Sequence, residues 1–156
     1  MAFDSTGPPP SRPDRPAYTL TVLAREPLES RLRTVLAGRG DVVAAYLFGS
    51  VARGTATPTS DVDVAILFAA EPPLTVDGLH LGLEGELERG LGVPVQLVVL
   101  NRAPCDLVHR VLRDGVLLVD RDPGRRIRFE VDARNRYFDL QPFLRRYRRF
   151  PVDAAT

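Results

Sequence analysis

Apolar positions along this chain fall into short runs with two different periods. From Glu26, the residues Leu28, Leu32, Val35 and Leu36 recur at helical spacing, Pro27 suits a first helical turn, and Gly38 and Gly40 follow as a stop. Val42–Phe48 and Val62–Phe68 are β-branched runs of strand length, the first bounded by Gly49. Residues 74–91 place Leu79, Leu83, Leu87 and Leu91 at every fourth position and predict a helix, although each of its glycines costs about 1 kcal/mol relative to alanine. Pro94–Leu100 predicts a third strand, Ala103–Arg113 a helix ended by Gly115, and Val116–Val119 a short strand. Residues 122–149 predict a long helix that Pro142 kinks or splits. Strands alternating with helices predict an α+β fold, a small mixed sheet flanked by helices. The hairpin-like spacing between the first two strands argues against an all-parallel sheet.

Five of the 14 prolines fall in residues 1–17, which hold almost nothing apolar and predict a flexible Pro-rich tail ahead of one folded domain over 26–149. No apolar run approaches the roughly 18 residues needed to span a bilayer, and the N-terminus lacks a basic-then-apolar leader. A single cysteine, Cys105, excludes an internal disulfide and a multi-cysteine zinc site. The expectation is a cytoplasmic protein without a membrane partner. All 21 basic residues are arginine, and their distribution informs more than the net charge of +1. Residues 41–100 carry eight acids against two arginines, and residues 101–150 carry thirteen arginines against seven acids. The two parts of the body therefore have opposite sign, which suggests a charged partner surface.

The second strand opens on two carboxylates, Asp61 and Asp63, which point to the same side because residues two apart share a strand face. Adjacent carboxylates repel unless a cation sits between them. Mg²⁺ is commonly held by one or two carboxylates together with substrate phosphates. The preceding Gly49-Ser50 supplies a backbone that a ligand can approach closely, with N–H groups and a hydroxyl able to take phosphate oxygens. Arg53 lies one turn further on and can neutralise a triphosphate. Asp-x-Asp alone usually marks a solvated strand end, and Gly-Ser alone a turn; their combination between two apolar strands is far more specific.

Gly49-Ser50, ten intervening residues, then Asp61-Val62-Asp63 resembles the signature of the nucleotidyltransferases of the DNA polymerase β superfamily. LFGSVARG followed by SDVDVAILF is similar in particular to the minimal nucleotidyltransferases, small bacterial proteins often paired with a HEPN-domain toxin. VQLVVLNRAPCDLVHRVLRDGVLLV and RFEVDARNRYFDLQPFLRRYRR resemble later segments of the same group, so the likeness spans about residues 26–149. The resemblance implies the nucleotidyltransferase fold with a long C-terminal helix. It also implies ATP on Gly49, Ser50 and Arg53, one or two Mg²⁺ ions on Asp61 and Asp63, and transfer of AMP to a tyrosine hydroxyl of the toxin, an RNase. Asp61 and Asp63 are then both the catalytic and the metal-binding residues.

The chain departs from that family at Gln96, which stands where a third carboxylate lies on the next strand. A glutamine ligates Mg²⁺ weakly and cannot accept a proton. Glu84, Glu86 and Asp106 are candidate substitutes, each also readable as an ordinary solvated helix residue. Gln96 favours one alternative, a catalytically weak or inactive antitoxin that neutralises its toxin by binding alone; a second keeps the fold and changes the acceptor, to a small molecule or an RNA end. His80 reads as a half-buried helix residue. His109 stands at the Arg-x(4–6)-His spacing of HEPN nucleases from Arg102, yet the two long helices of that fold are missing. FLRRYRRF (143–150) offers a nucleic-acid reading through phosphate attraction and stacking, or contact with an acidic partner protein. A helix docked through Phe143, Leu144 and Tyr147 accounts for it more simply.

Overall fold

The computed structural model describes residues 25–73 and 79–149. They form α1 (Arg25–Ala37), β1 (Val42–Phe48), α2 (Gly49–Arg53), β2 (Val62–Phe68), α3 (Leu79–Leu91), β3 (Val95–Val99), α4 (Cys105–Asp114), β4 (Val116–Asp120) and α5 (Pro123–Arg149), with a 3-10 turn at Leu100–Arg102. The sheet order is β3-β2-β1-β4. β1 runs antiparallel to both its neighbours, and β2 runs parallel to β3. The mixed sheet expected from the strand spacing is therefore present.

Strand alternation divides the apolar residues between two layers. Val62, Val64, Ile66 and Phe68 of β2 turn to one face, where they meet Leu28, Leu32 and Leu36 of α1 and Leu83, Leu87 and Leu91 of α3. Ala65 and Leu67 turn to the other face, with Tyr46 of β1, and meet Val108 and Val111 of α4 and Ala133 of α5. A bulge at Val43 places it and Ala44 on that second face together. Gly90 is the one glycine of α3 with a packing reason, since a Cβ there would lie 2.6 Å from Val35 Cγ2 of α1. Polar side chains finish the frame. Glu84 and Glu88 of α3 accept hydrogen bonds from the Leu97 and Val95 N–H groups of edge strand β3, each at 3.1 Å. Arg33 donates to the Leu118 carbonyl at 3.1 Å, where β4 bulges against β1. Asn101 prolongs β2 by exchanging two hydrogen bonds with the Phe68 backbone, at 2.9 and 3.0 Å.

Several expectations need adjusting. Gly49-Ser50 does not form a turn but opens the one-turn helix α2 directly from β1. The third strand stops at Val99, and α4 starts at Cys105, because Pro104 stands at its N-cap. The leucine-spaced helix begins at Leu79 within the described residues; 74–78, the side chain of His80 and the Pro-rich 1–17 lie outside them. Pro142 does not split α5, which runs through it to Arg149. Proline at that position frees the carbonyl of Phe138, whose side chain is exposed, so water can satisfy it. Phe143 is 64% exposed rather than docked, and the side chains of Leu144 and Tyr147 lie outside the described residues. With 27 residues against 10, α5 extends roughly 40 Å and α4 roughly 15 Å, so α5 outruns the layer it packs on. Among the described residues no helix is long and apolar enough to cross a membrane.

Candidate active site at the β1–α2 corner

The site is assembled where β1 ends and α2 begins, over the start of β2. The first link is steric. Gly49 has φ +73°, a left-handed conformation, and a Cβ on it would lie 1.9 Å from Asp63 Oδ2 and 2.8 Å from Asp63 Cγ. Only glycine satisfies both the backbone angle and the carboxylate packed against it. Gly54, at φ +72°, ends α2 the same way and donates its N–H to the carbonyls of Ser50 and Val51. The loop that returns to β2 is held by hydroxyls: Ser60 Oγ accepts from the Thr57 N–H at 2.9 Å, and the Ser60 N–H donates to the Thr57 carbonyl at 3.0 Å. The Val62 N–H then bonds the Pro94 carbonyl at 2.9 Å, fixing where β2 enters the sheet.

Phe48, Asp63 and Gln96 form one row across β1, β2 and β3. Gln96 therefore sits on the strand next to Asp63, roughly 4.8 Å away across the sheet, and shares its face. Asp61 lies one residue before β2 and is exposed, whereas Asp63 is half-buried. Burial first, and the Asp61 charge second, push the Asp63 carboxyl above the ordinary carboxylate range, while Arg53 pulls it back. The pair is thus short of positive charge. Arg53, at the exposed end of α2, supplies only part of it.

None of the sequence-proposed substitutes for the third carboxylate reaches this corner. Glu84 is committed to the β3 edge. Glu86 faces Arg39 at 3.8 Å. Asp106 stands on α4 in a groove against α5. Among the described residues no group of three or more His, Cys, Asp or Glu side chains is arranged to hold a metal ion. Two carboxylates that lack compensating charge fit a hard divalent cation whose remaining ligands are water and substrate oxygens. His109 takes no part: its ring stacks on Tyr137 at 3.7 Å with 3° between planes. Arg102 donates to the Pro72 carbonyl instead, at 3.1 Å.

The Thr57–Ser60 clasp and the short helix α2 are not evident from the apolar pattern of the sequence. The Thr-x-x-Ser spacing was the available signal for the first.

The fold is shared with solved toxin–antitoxin structures. One, a toxin–antitoxin determined with AMP-PNP, is 27% identical over 76% of this chain and 94% of its own, with a TM-score of 0.66. A second, the toxin–antitoxin MntA-HepT, matches at 24% identity over 78% of this chain and 94% of that one, TM-score 0.62. A third is an MNT antitoxin in complex with a tri-AMPylated Shewanella oneidensis HEPN toxin, at 23% identity over 79% and 94%, TM-score 0.63. The last two are likenesses of fold. No match was found among curated proteins. Residues 30–124, more than half of the sequence and all of the corner just described, match the polymerase beta nucleotidyltransferase family, and the chain belongs to it.

Proposed function

We propose that this chain is an antitoxin that transfers AMP from ATP to a tyrosine hydroxyl of a partner HEPN RNase toxin, in a magnesium-dependent reaction. The observation that carries the proposal is the fit of the Asp63 carboxylate against Gly49, which brings an under-compensated carboxylate pair to the start of α2. The solved relative holding an ATP analogue in a toxin–antitoxin supports the choice of substrate and partner.

Asp61 and Asp63 are the residues that would hold magnesium, which when bound would screen the phosphates and polarise the α-phosphorus. The Ser50 hydroxyl and the α2 backbone orient the terminal phosphates, and Arg53 offsets their charge. The acceptor oxygen forms its bond to the α-phosphorus as the bond to the pyrophosphate oxygen breaks, and AMP ends on the acceptor. Gln96 shares the face of Asp63 but cannot take the hydroxyl proton. That proton passes to solvent or to the departing phosphates, which lowers the attainable rate.

The same glutamine favours a second reading, an antitoxin that neutralises its toxin by binding alone. Incubation with α-labelled ATP, Mg²⁺ and a HEPN-domain partner separates the two. Label on the partner that disappears in Asp61→Asn and Asp63→Asn supports transfer. Absence of label, with neutralisation intact in both variants, overturns it and favours binding. A large gain from Gln96→Asp would identify the third position as the limit on rate.

A further inference from the structure

The Asp61–Asp63 corner leaves a second feature of the molecule without a role. Along α4, Asp106, His109, Arg110 and Arg113 face Tyr137 and Arg145 of α5 across an open groove of about 400 Å³. Every exposed large apolar side chain found among the described residues lies on α5: Ile127, Val131, Phe138, Leu140 and Phe143. Phe138 meets the His109–Tyr137 stack edge-on, with centroids 6.2 and 5.8 Å away, and still exposes 57% of its surface. Arg113 is paired with Asp114 at 2.7 Å, whereas among the described residues Arg110 and Arg145 enter no ion pair.

The groove leads to the corner. Beyond its Arg113 end, α4 closes at Asp114 and turns at Gly115 into β4, whose Val116 pairs with Leu47, two residues before Gly49. Gly115 permits this turn, since a Cβ there would lie 2.3 Å from the Val111 carbonyl oxygen. The Asp114 carboxyl is lowered first by Arg113 and further by Arg53 and His109, so one arginine of the corner and one ring of the groove act on the same group.

We propose that the α4–α5 groove is the channel that docks the acceptor protein, and that its occupant is an acidic, tyrosine-bearing segment of that protein. This rests on the adenylyltransferase reading and adds where the acceptor enters. Unpaired arginines beside exposed aromatic rings are the composition of a protein-binding surface with apolar anchors and a charged rim. A nucleic acid fits less well. The inner faces of His109 and Tyr137 are spent on each other, leaving no slot for a base between them, and Asp106 in the groove repels phosphate.

The test measures fluorescence anisotropy of short labelled peptides without nucleotide or metal. The probes are a tyrosine flanked by glutamates, the same peptide with glutamines, the same with lysines, and a single-stranded RNA of equal length. The glutamate peptide is expected to bind at least about tenfold more tightly than the glutamine peptide, less so at high salt. Arg110→Glu with Arg145→Glu, both at the surface, should remove that preference and transfer it to the lysine peptide, with an unchanged melting temperature. Asp61→Asn and Asp63→Asn should leave peptide binding intact. Equal binding of the acidic and neutral peptides, indifference to the arginine reversals, or preference for RNA each overturns the proposal. The two readings fail separately. Acidic-peptide binding without any AMP transfer refutes the chemistry and keeps the groove. Transfer to a HEPN partner at unchanged KM in the double reversal refutes the groove and keeps the chemistry.

Discussion

Replacing Gly49 with alanine tests the geometry on which the site depends. The added Cβ would stand 1.9 Å from Asp63 Oδ2, so either the carboxylate or the β1–α2 junction must move by more than an ångström. The left-handed backbone at φ +73° adds a conformational cost of about 1–2 kcal/mol for a residue with a Cβ. Relieving the overlap adds about 1–3 kcal/mol more, as for other overpacked positions. At about 2–4 °C per kcal/mol for a chain of this size, the variant should melt roughly 5–20 °C lower. The diagnostic comparison is with Asp63→Ala, which removes Oδ2 and Cγ and leaves Asp63 Cβ at 3.1 Å from the new methyl. In that background Gly49→Ala should cost little beyond the backbone preference. Urea denaturation of the wild type, both single variants and the double variant should therefore give a coupling of about 1–3 kcal/mol. Additivity within about 0.5 kcal/mol would refute the claim that Gly49 is required by the carboxylate.

Because the folded Asp63 carboxyl holds its proton above the ordinary carboxylate value, folded chains bind more protons than unfolded ones in that interval. Stability should accordingly fall as pH rises from the ordinary value of 3.8 through the raised one, and Asp63→Asn should flatten that slope in denaturation series. Tyr46 donates to Glu130 Oε1 at 2.8 Å, and Glu130 also pairs with Arg126 at 2.8 Å. Tyr46→Phe should lower stability by about 1.5–3 kcal/mol, the range for a hydrogen bond to a charged group. Burial first, and Glu130 second, raise the Tyr46 hydroxyl above its ordinary value, so stability should also decline on passing that value, a decline that the phenylalanine variant should lack. A Cβ added at Gly85 in α3 would meet nothing within 4 Å, and its φ is not left-handed, so Gly85→Ala should stabilise by about 0.5–1 kcal/mol in the same assay. Gly90→Ala, 2.6 Å from Val35 Cγ2, should not.

The strands and most helices were legible because apolar periodicity survives wherever an element buries one face, as in β2 and the leucines of α3. The pairing of Gly49-Ser50 with Asp61 and Asp63 was legible for a different reason: each half is ordinary alone, but their combination between two apolar strands is one that a shared ligand would explain. The position of Gln96 beside Asp63 was implied by the family resemblance alone, because a strand placed from its apolar run gives neither its neighbour nor its register. Helix α2 was not legible, since five residues carry no period and Gly-Ser reads equally well as a turn. The work of Glu84 and Glu88 was hidden because it depends on which strand lies at the sheet edge, a property of topology rather than of local sequence. The exposure of Phe143 was hidden for a related reason: an amphipathic pattern gives the side of a helix that could be buried, but not whether a neighbouring layer extends far enough to bury it.

The two ends of the sheet are closed by side chains of α1 and α3. Glu84 and Glu88 occupy the outward amides of β3, and Arg33 takes the carbonyl at the β4 bulge. A foreign strand approaching β3 meets two carboxylates where it would have to offer carbonyl oxygens, and one approaching β4 meets a distorted register. Neither border can be extended by β-augmentation without first displacing a charge. Copies of the chain are kept from stacking border to border, and any binding partner is directed to the helical faces.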